Sequence, residues 1–158
     1  MRFSILVAAA ALAACSGRPD TGLADRQAEV AARGAEVMPF DLDRTMHAFA
    51  KDSSGGVQTV TANDPADTLN IRLVREHLRK EAELFARGEF SDPAAIHGAD
   101  MPGLAELSAA NGKVTAEYAD VPAGARIRYT TGDPALRSAL HRWFDAQVSD
   151  HGRHAEHQ

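Results

Sequence analysis

A chain of 158 residues, 44% of them hydrophobic, holds enough apolar material for one domain of ordinary size with a single core. A formal charge of -5 makes nucleic acid and anionic membrane surfaces poor partners and fits an acidic, solvated exterior. The one cysteine, Cys15, leaves no disulfide framework, and the seven histidines become the strongest candidates for metal ligands or proton carriers.

The chain opens with Arg2, an apolar run from Phe3 to Ala14, and Leu12-Ala13-Ala14-Cys15 before Ser16-Gly17. A charged start, a short apolar core and small residues before a cut describe an export signal too short to span a bilayer by itself. This stretch resembles a bacterial lipoprotein signal. The resemblance implies that residues 1–14 are removed as a signal peptide and that Cys15 is acylated. The lipid bilayer then becomes a partner, and Ser16 after the cysteine implies sorting to the periplasmic face of the outer membrane. Residues 15–43 read as the lipidated N-terminus and a tether, with a short helix around Leu23 to Arg33.

Thr45 to Ala50 alternates, Val57 to Thr61 is rich in β-branched residues, and Asp52-Ser53-Ser54-Gly55-Gly56 between them is turn-prone, which predicts a β-hairpin. Asn63-Asp64-Pro65 supplies a cap and an N1 proline. Ile71, Val74, Leu78, Ala82 and Phe85 then follow at helical spacing until Gly88, predicting a helix over 66–87. In the linker of residues 88–113, Asp92-Pro93 opens a helical turn that Gly98 closes, and Met101-Pro102-Gly103-Leu104 has the centre of a type II turn. So much turn chemistry predicts an ordered connection.

The second half repeats the plan. Strands are expected at 114–119 and 125–130 around Val121-Pro122-Ala123-Gly124, with Gly124 supplying a positive φ. Asp133-Pro134 starts a helix to about Ser149, with Leu136, Leu140, Trp143, Phe144 and Gln147 on one side. Two ββα units predict an α+β fold: a two-layer sandwich of a four-stranded antiparallel sheet with both helices on one face. The compact domain is placed at 44–152, and 153–158 is a histidine-rich polar tail.

Each long helix carries a histidine followed at i+4 by an acid: His77 with Glu81, and His141 with Asp145. At that spacing the carboxylate can orient the ring or both groups can ligate one ion, although ordinary helix-face ion pairs produce the same pattern. His47 shares a strand face with Phe49, which directs it to the core or its rim. His97 and Met101 bracket Gly98, and imidazole with thioether suits Cu(I), while a gap-filling role suits Met101 better. His151 directly follows the last helix and can fold back on it. His154 and His157 lie in a tail whose ordering costs entropy, so they predict only loose metal binding.

The segments around His47-Ala48-Phe49, Ile71 to Leu78, Ile96-His97-Gly98, and Leu140 to Gln147 with Asp150-His151-Gly152 resemble a family of small exported bacterial proteins. The likeness covers about residues 43 to 154. Some members carry an aspartate carbamoyltransferase label, but the chain has no counterpart of the carbamoyl-phosphate loop of those two-domain enzymes. The resemblance therefore implies export and no catalytic residue.

No G-x-S-x-G, P-loop, Rossmann glycine pattern or H-E-x-x-H occurs in the chain, which makes an enzyme the third reading. The leading reading is an envelope lipoprotein that binds copper or zinc through His47, His77, His97, His141 and His151, with Glu81, Asp145 and Met101 in support. A domain binding a small ligand or protein partner without metal is the alternative. Convergence of the histidines separates the two.

Overall fold

The computed structural model describes residues 21–158. The signal peptide and Cys15 lie outside them. The elements run α1 (Thr21–Val37), β1 (Thr45–Asp52), β2 (Gly55–Ala62), α2 (Thr68–Ala86), α3 (Ser91–His97), α4 (Leu104–Ser108), β3 (Thr115–Val121), β4 (Gly124–Thr130), α5 (Pro134–His151) and β5 (Ala155–His157). None of these helices is long and apolar enough to cross a membrane.

Both hairpins form. Strands β1 and β2 pair from Thr45 with Ala62 to Asp52 with Gly55, and the Asp52 carboxylate accepts from the Ser54 backbone and hydroxyl to fix the two-residue turn. Strands β3 and β4 pair around a Pro122-Ala123 turn. Gly124 lies outside the positive-φ set; a Cβ there would stand 2.0 Å from the Val60 carbonyl, so close approach to β2 is what demands glycine. Gly103 does match its expected turn, at φ 83° and ψ -14°, and the Leu104 N–H donates to the Met101 carbonyl.

The expected four-stranded antiparallel sheet with two helices is corrected to a mixed sheet of five strands, ordered β3-β4-β2-β1-β5, with five helices among the described residues. Besides α3 and α4, which form in the ordered linker, two segments account for the difference. Helix α5 runs on to His151, Gly152 turns the chain at φ 52°, and β5 pairs in parallel with β1, His47 opposite Ala155. The edge of β1 carries unpaired backbone groups, and the tail satisfies them. Backbone pairing thus orders residues 155–157, with Ala155 packed on the core and His157 beside Asp145.

The second segment is α1, which packs on α3 and α5. Its inward stripe includes Arg26, Gln27, Val30 and Val37, of which Val30 is fully buried. Arg26 anchors it by donating twice to Asp150 at 2.7 and 3.1 Å and once to the His97 carbonyl at 2.6 Å. A stripe half made of polar residues shows no apolar periodicity, yet it pins this helix to two others.

The two long helices lie on one face of the sheet, α2 over β3 and β4 and α5 against β1 and β2. Helix α2 starts at Thr68 with Asp67 as its cap, accepting from Asn70 N; Asp64 instead closes an Asx turn to Ala66. Asp133 caps α5, with Pro134 at its first position. Trp143 is fully buried between α5 and the sheet, edge-on to Phe85, Phe90 and Tyr129. Beside this aromatic wall, the core opens into a cavity.

Candidate metal centre

The α-helical period places His77 and Glu81 one turn apart on the face of α2 that looks toward α3. Helix α3 begins with Ser91-Asp92-Pro93, so Asp92 sits in its first turn and returns toward Glu81. One ligand atom from each of His77, Glu81 and Asp92 lies within 4.8 Å of the other two. Lys80 Nζ closes the outer side, 3.3 Å from Asp92 Oδ2. These three side chains could hold a divalent metal ion.

The cavity is walled on its far side by His47 from β1, Gln58 from β2, His97 from α3, and Gln147 and His151 from α5. It offers ≈ 40 Å³ to a water-sized occupant. At 10–15 Å³ for each water, that is room for an ion and a water or two.

Burial sets the electrostatics. Glu81 is 4% exposed, and burial together with a hydrogen bond shared with Asp92 pushes its carboxyl up to about 8. Burial works against the Asp92 charge as well, but the shared proton and the Lys80 ammonium outweigh it and keep this carboxylate below its ordinary range. One proton between two carboxylates is the outcome near neutrality. His77 is pushed down to about 4 by burial, and Lys80 adds to this while Asp92 opposes it. His47 is held at about 4 by burial, and His97 and His151 are also lowered, each chiefly by burial. All four rings are therefore neutral near pH 7, the form that donates a lone pair to a metal.

On the far wall, the rings of His47 and His151 stack with centroids 5.0 Å apart, and His97 meets His151 edge-on at 4.8 Å. The His97 ring donates from Nδ1 to Asp150 at 2.8 Å, which fixes its tautomer and leaves Nε2 without a proton. His47 Nδ1 and Glu81 Oε1 are buried without a hydrogen-bond partner. Unpartnered polar atoms at this depth cost free energy that a bound ion or water would recover.

Of the five histidines singled out in the sequence, His47, His77, His97 and His151 border this one cavity. His141 does not: its Nε2 donates to the Gly55 carbonyl at 2.8 Å, beside the β1–β2 turn. Asp145 lies outside too, ion-paired with Lys51 and 3.5 Å from His157. Met101 is 3% exposed in the hydrophobic core, where it fills space away from the cavity. Glu81, expected either to orient the His77 ring or to ligate an ion with it, is one of the three groups that could hold an ion.

Asp92, Gln58, Gln147 and the Asp150–Arg26 clamp were missed. Asp92 reads in sequence as a helix opener, and nothing in the spacing of residues 81 and 92 shows that α3 folds back on α2. The acid before His151 was the one legible trace of the clamp. Compared with protein-family models, with curated proteins and with solved structures, the chain matches none.

Proposed function

We propose that this protein binds one divalent transition metal ion, zinc in the first instance, through His77, Glu81 and Asp92, and that it sequesters or delivers that ion at the bacterial envelope. The observation that carries the reading is the donor set itself: a neutral imidazole and two carboxylates within 4.8 Å of one another in a cavity of ion size. Two negative charges offset the two positive charges of the ion, so it enters the low-dielectric interior without leaving net charge behind. Mixed nitrogen and oxygen donors suit zinc, and three protein ligands leave a fourth position open. An open position is what exchange with a carrier or another protein needs. The envelope location is supported by the leader, Arg2 to Cys15.

In the metal-free protein, the Glu81–Asp92 pair holds a proton that the ion must displace. Calorimetric titration of zinc at pH 7 in two buffers of different ionisation enthalpy tests this. One equivalent should bind with release of about one proton. Absence of a stoichiometric event, or binding that releases no proton, would remove this site from the account.

A further inference from the structure

The sheet has two faces, and the helices cover one. Helices α2 and α5 pack against the strands, α1 and α4 pack on α5, and α3 packs on α1. His47 and Phe49 of β1, with Ile127 and Tyr129 of β4, are buried toward that helical layer. By the two-residue period of a strand, Met46, Ala48 and Ala50 point the other way. Their partners on β2 are Thr61, Thr59 and Val57. These side chains are small or apolar and carry no charge, and all but Ala48 remain part-exposed.

The register lays out one row across this open face. Arg126 lies opposite Thr59, Thr59 opposite Ala48, and Ala48 opposite Glu156, so β4, β2, β1 and β5 each supply one residue to a single line. The two charged ends stand three strands apart, about 14 Å at the spacing of a sheet, and do not meet within one chain. Both are exposed. Among the described residues neither forms an ion pair, and the Glu156 carboxylate accepts only from the Gln158 side chain, at 3.5 Å. Arg128, one row along, is by contrast held within the chain by Asp52 and Ser54.

A row with a basic end, an uncharged middle and an acidic end is complementary to a copy of itself after a half-turn. When a two-fold axis runs between β1 and β2, parallel to both, β4 of one copy lies over β5 of the other, and β2 over β1. Arg126 then faces Glu156 of the second copy, and the same pair recurs across the axis. Thr59 meets Ala48, Val57 meets Ala50 and Thr61 meets Met46, so the centre buries no charge. Strand β3, with Glu117, stays beyond the contact, and no acid is set against an acid. From this register we infer that the open face of the sheet is the interface of a symmetric homodimer, its two sheets packed with strands aligned within about 30°. Four strands about 4.8 Å apart and about 25 Å long place roughly 500 Å² of each copy in contact, about 1,000 Å² in all. That is the low end for a specific interface and the size of a weak, reversible dimer. The contact uses none of the ion's ligands, so it stands or falls apart from the metal site.

Sedimentation velocity tests it on the full chain carrying Cys15→Ser, which removes the only thiol and with it any acylated or disulfide-linked association. Across about 5 to 500 µM, the range of a weak dimer, the parent should pass from monomer to dimer. Added salt should shift it back toward monomer. Arg126→Glu and Glu156→Arg should each weaken the dimer at least ~10-fold, because each replaces two attractive pairs with two like-charged ones. The double variant restores opposite charges and should return to within about threefold of the parent. Thr59→Lys, which sets a charge beside the axis, should remain monomeric at every concentration and serves if a charge-reversal variant fails to fold. A parent that is monomeric throughout overturns the proposal. So does association that the single variants leave unchanged, that the double variant fails to restore, or that tolerates Thr59→Lys.

Discussion

Helices α2 and α5 carry the same local pattern, a histidine and an acid one turn apart, and the fold puts the two pairs to different uses. His77 and Glu81 face Asp92 across a cavity, and burial pushes Glu81 up to about 8 and His77 down to about 4. His141 donates to a turn carbonyl, and Asp145 is ion-paired on the surface with Lys51. Spacing along a helix decides which side chains are neighbours. What stands opposite decides whether they form a site, and here that is a short helix returning over one pair and a hairpin turn over the other.

The largest effect that would break this comparison is on zinc affinity. His77→Ala and Glu81→Gln should each weaken zinc binding at least ~100-fold, since removing a ligand costs more than the 10–100-fold typical of a supporting residue. His141→Ala and Asp145→Asn should change it less than about threefold. Calorimetry on the four variants reads this directly, and equal losses on both helices would erase the distinction.

A smaller effect sharpens it through pH. Because the folded Glu81 titrates near 8 and an unfolded glutamate near 4.5, the folded state binds more protons over that window, and stability falls as pH rises through it. The four lowered histidines are neutral in the folded state but partly protonated when unfolded, so their opposite contribution fades only above about pH 7.5. Between about pH 7.5 and 8.5 the metal-free protein should therefore lose stability as pH rises, by less than about 1.4 kcal/mol per pH unit. Urea melts should show that slope flattened in Glu81→Gln and unchanged in Asp145→Asn.

On α5 the effects are structural and modest. His141→Ala removes the hydrogen bond to the Gly55 carbonyl and should cost about 1 kcal/mol in the same melts. Asp145→Asn breaks the half-exposed pair with Lys51 and should cost no more than about 0.5 kcal/mol, less at high salt. A larger loss from Asp145→Asn than from His141→Ala would mean that the surface pairs do more than their exposure implies.

Much of the fold was legible where residues speak for themselves. Asp133-Pro134 starts a helix by its own geometry, the stripe from Ile71 to Phe85 repeats at 3.6, and both hairpins carry their turns in sequence. One helix showed only in part, as the short stretch expected around Leu23 to Arg33, and one strand hid altogether, because their partners are distant. Helix α1 turns Arg26 and Gln27 inward, residues that read as solvated until Asp150 and Ser149 receive them. Strand β5 is built from Ala155, Glu156 and His157, which have no strand signature and pair with β1 through the backbone.

The site divided in the same way. Histidines on or beside apolar stripes pointed inward, and His47, His77, His97 and His151 line one cavity. Asp92 could not be placed, because its contact with Glu81 depends on how the chain between α2 and α3 turns at Gly88, where φ is 77°. The sequence showed two equal i,i+4 pairs and no means of choosing between them.

The most direct measurement is the zinc-edge anomalous map of a crystal of the zinc-loaded protein. The account predicts one strong peak about 2.0–2.2 Å from ligand atoms of His77, Glu81 and Asp92. A peak found only beside His154 or His157, or bound by His141 and Asp145, would contradict it.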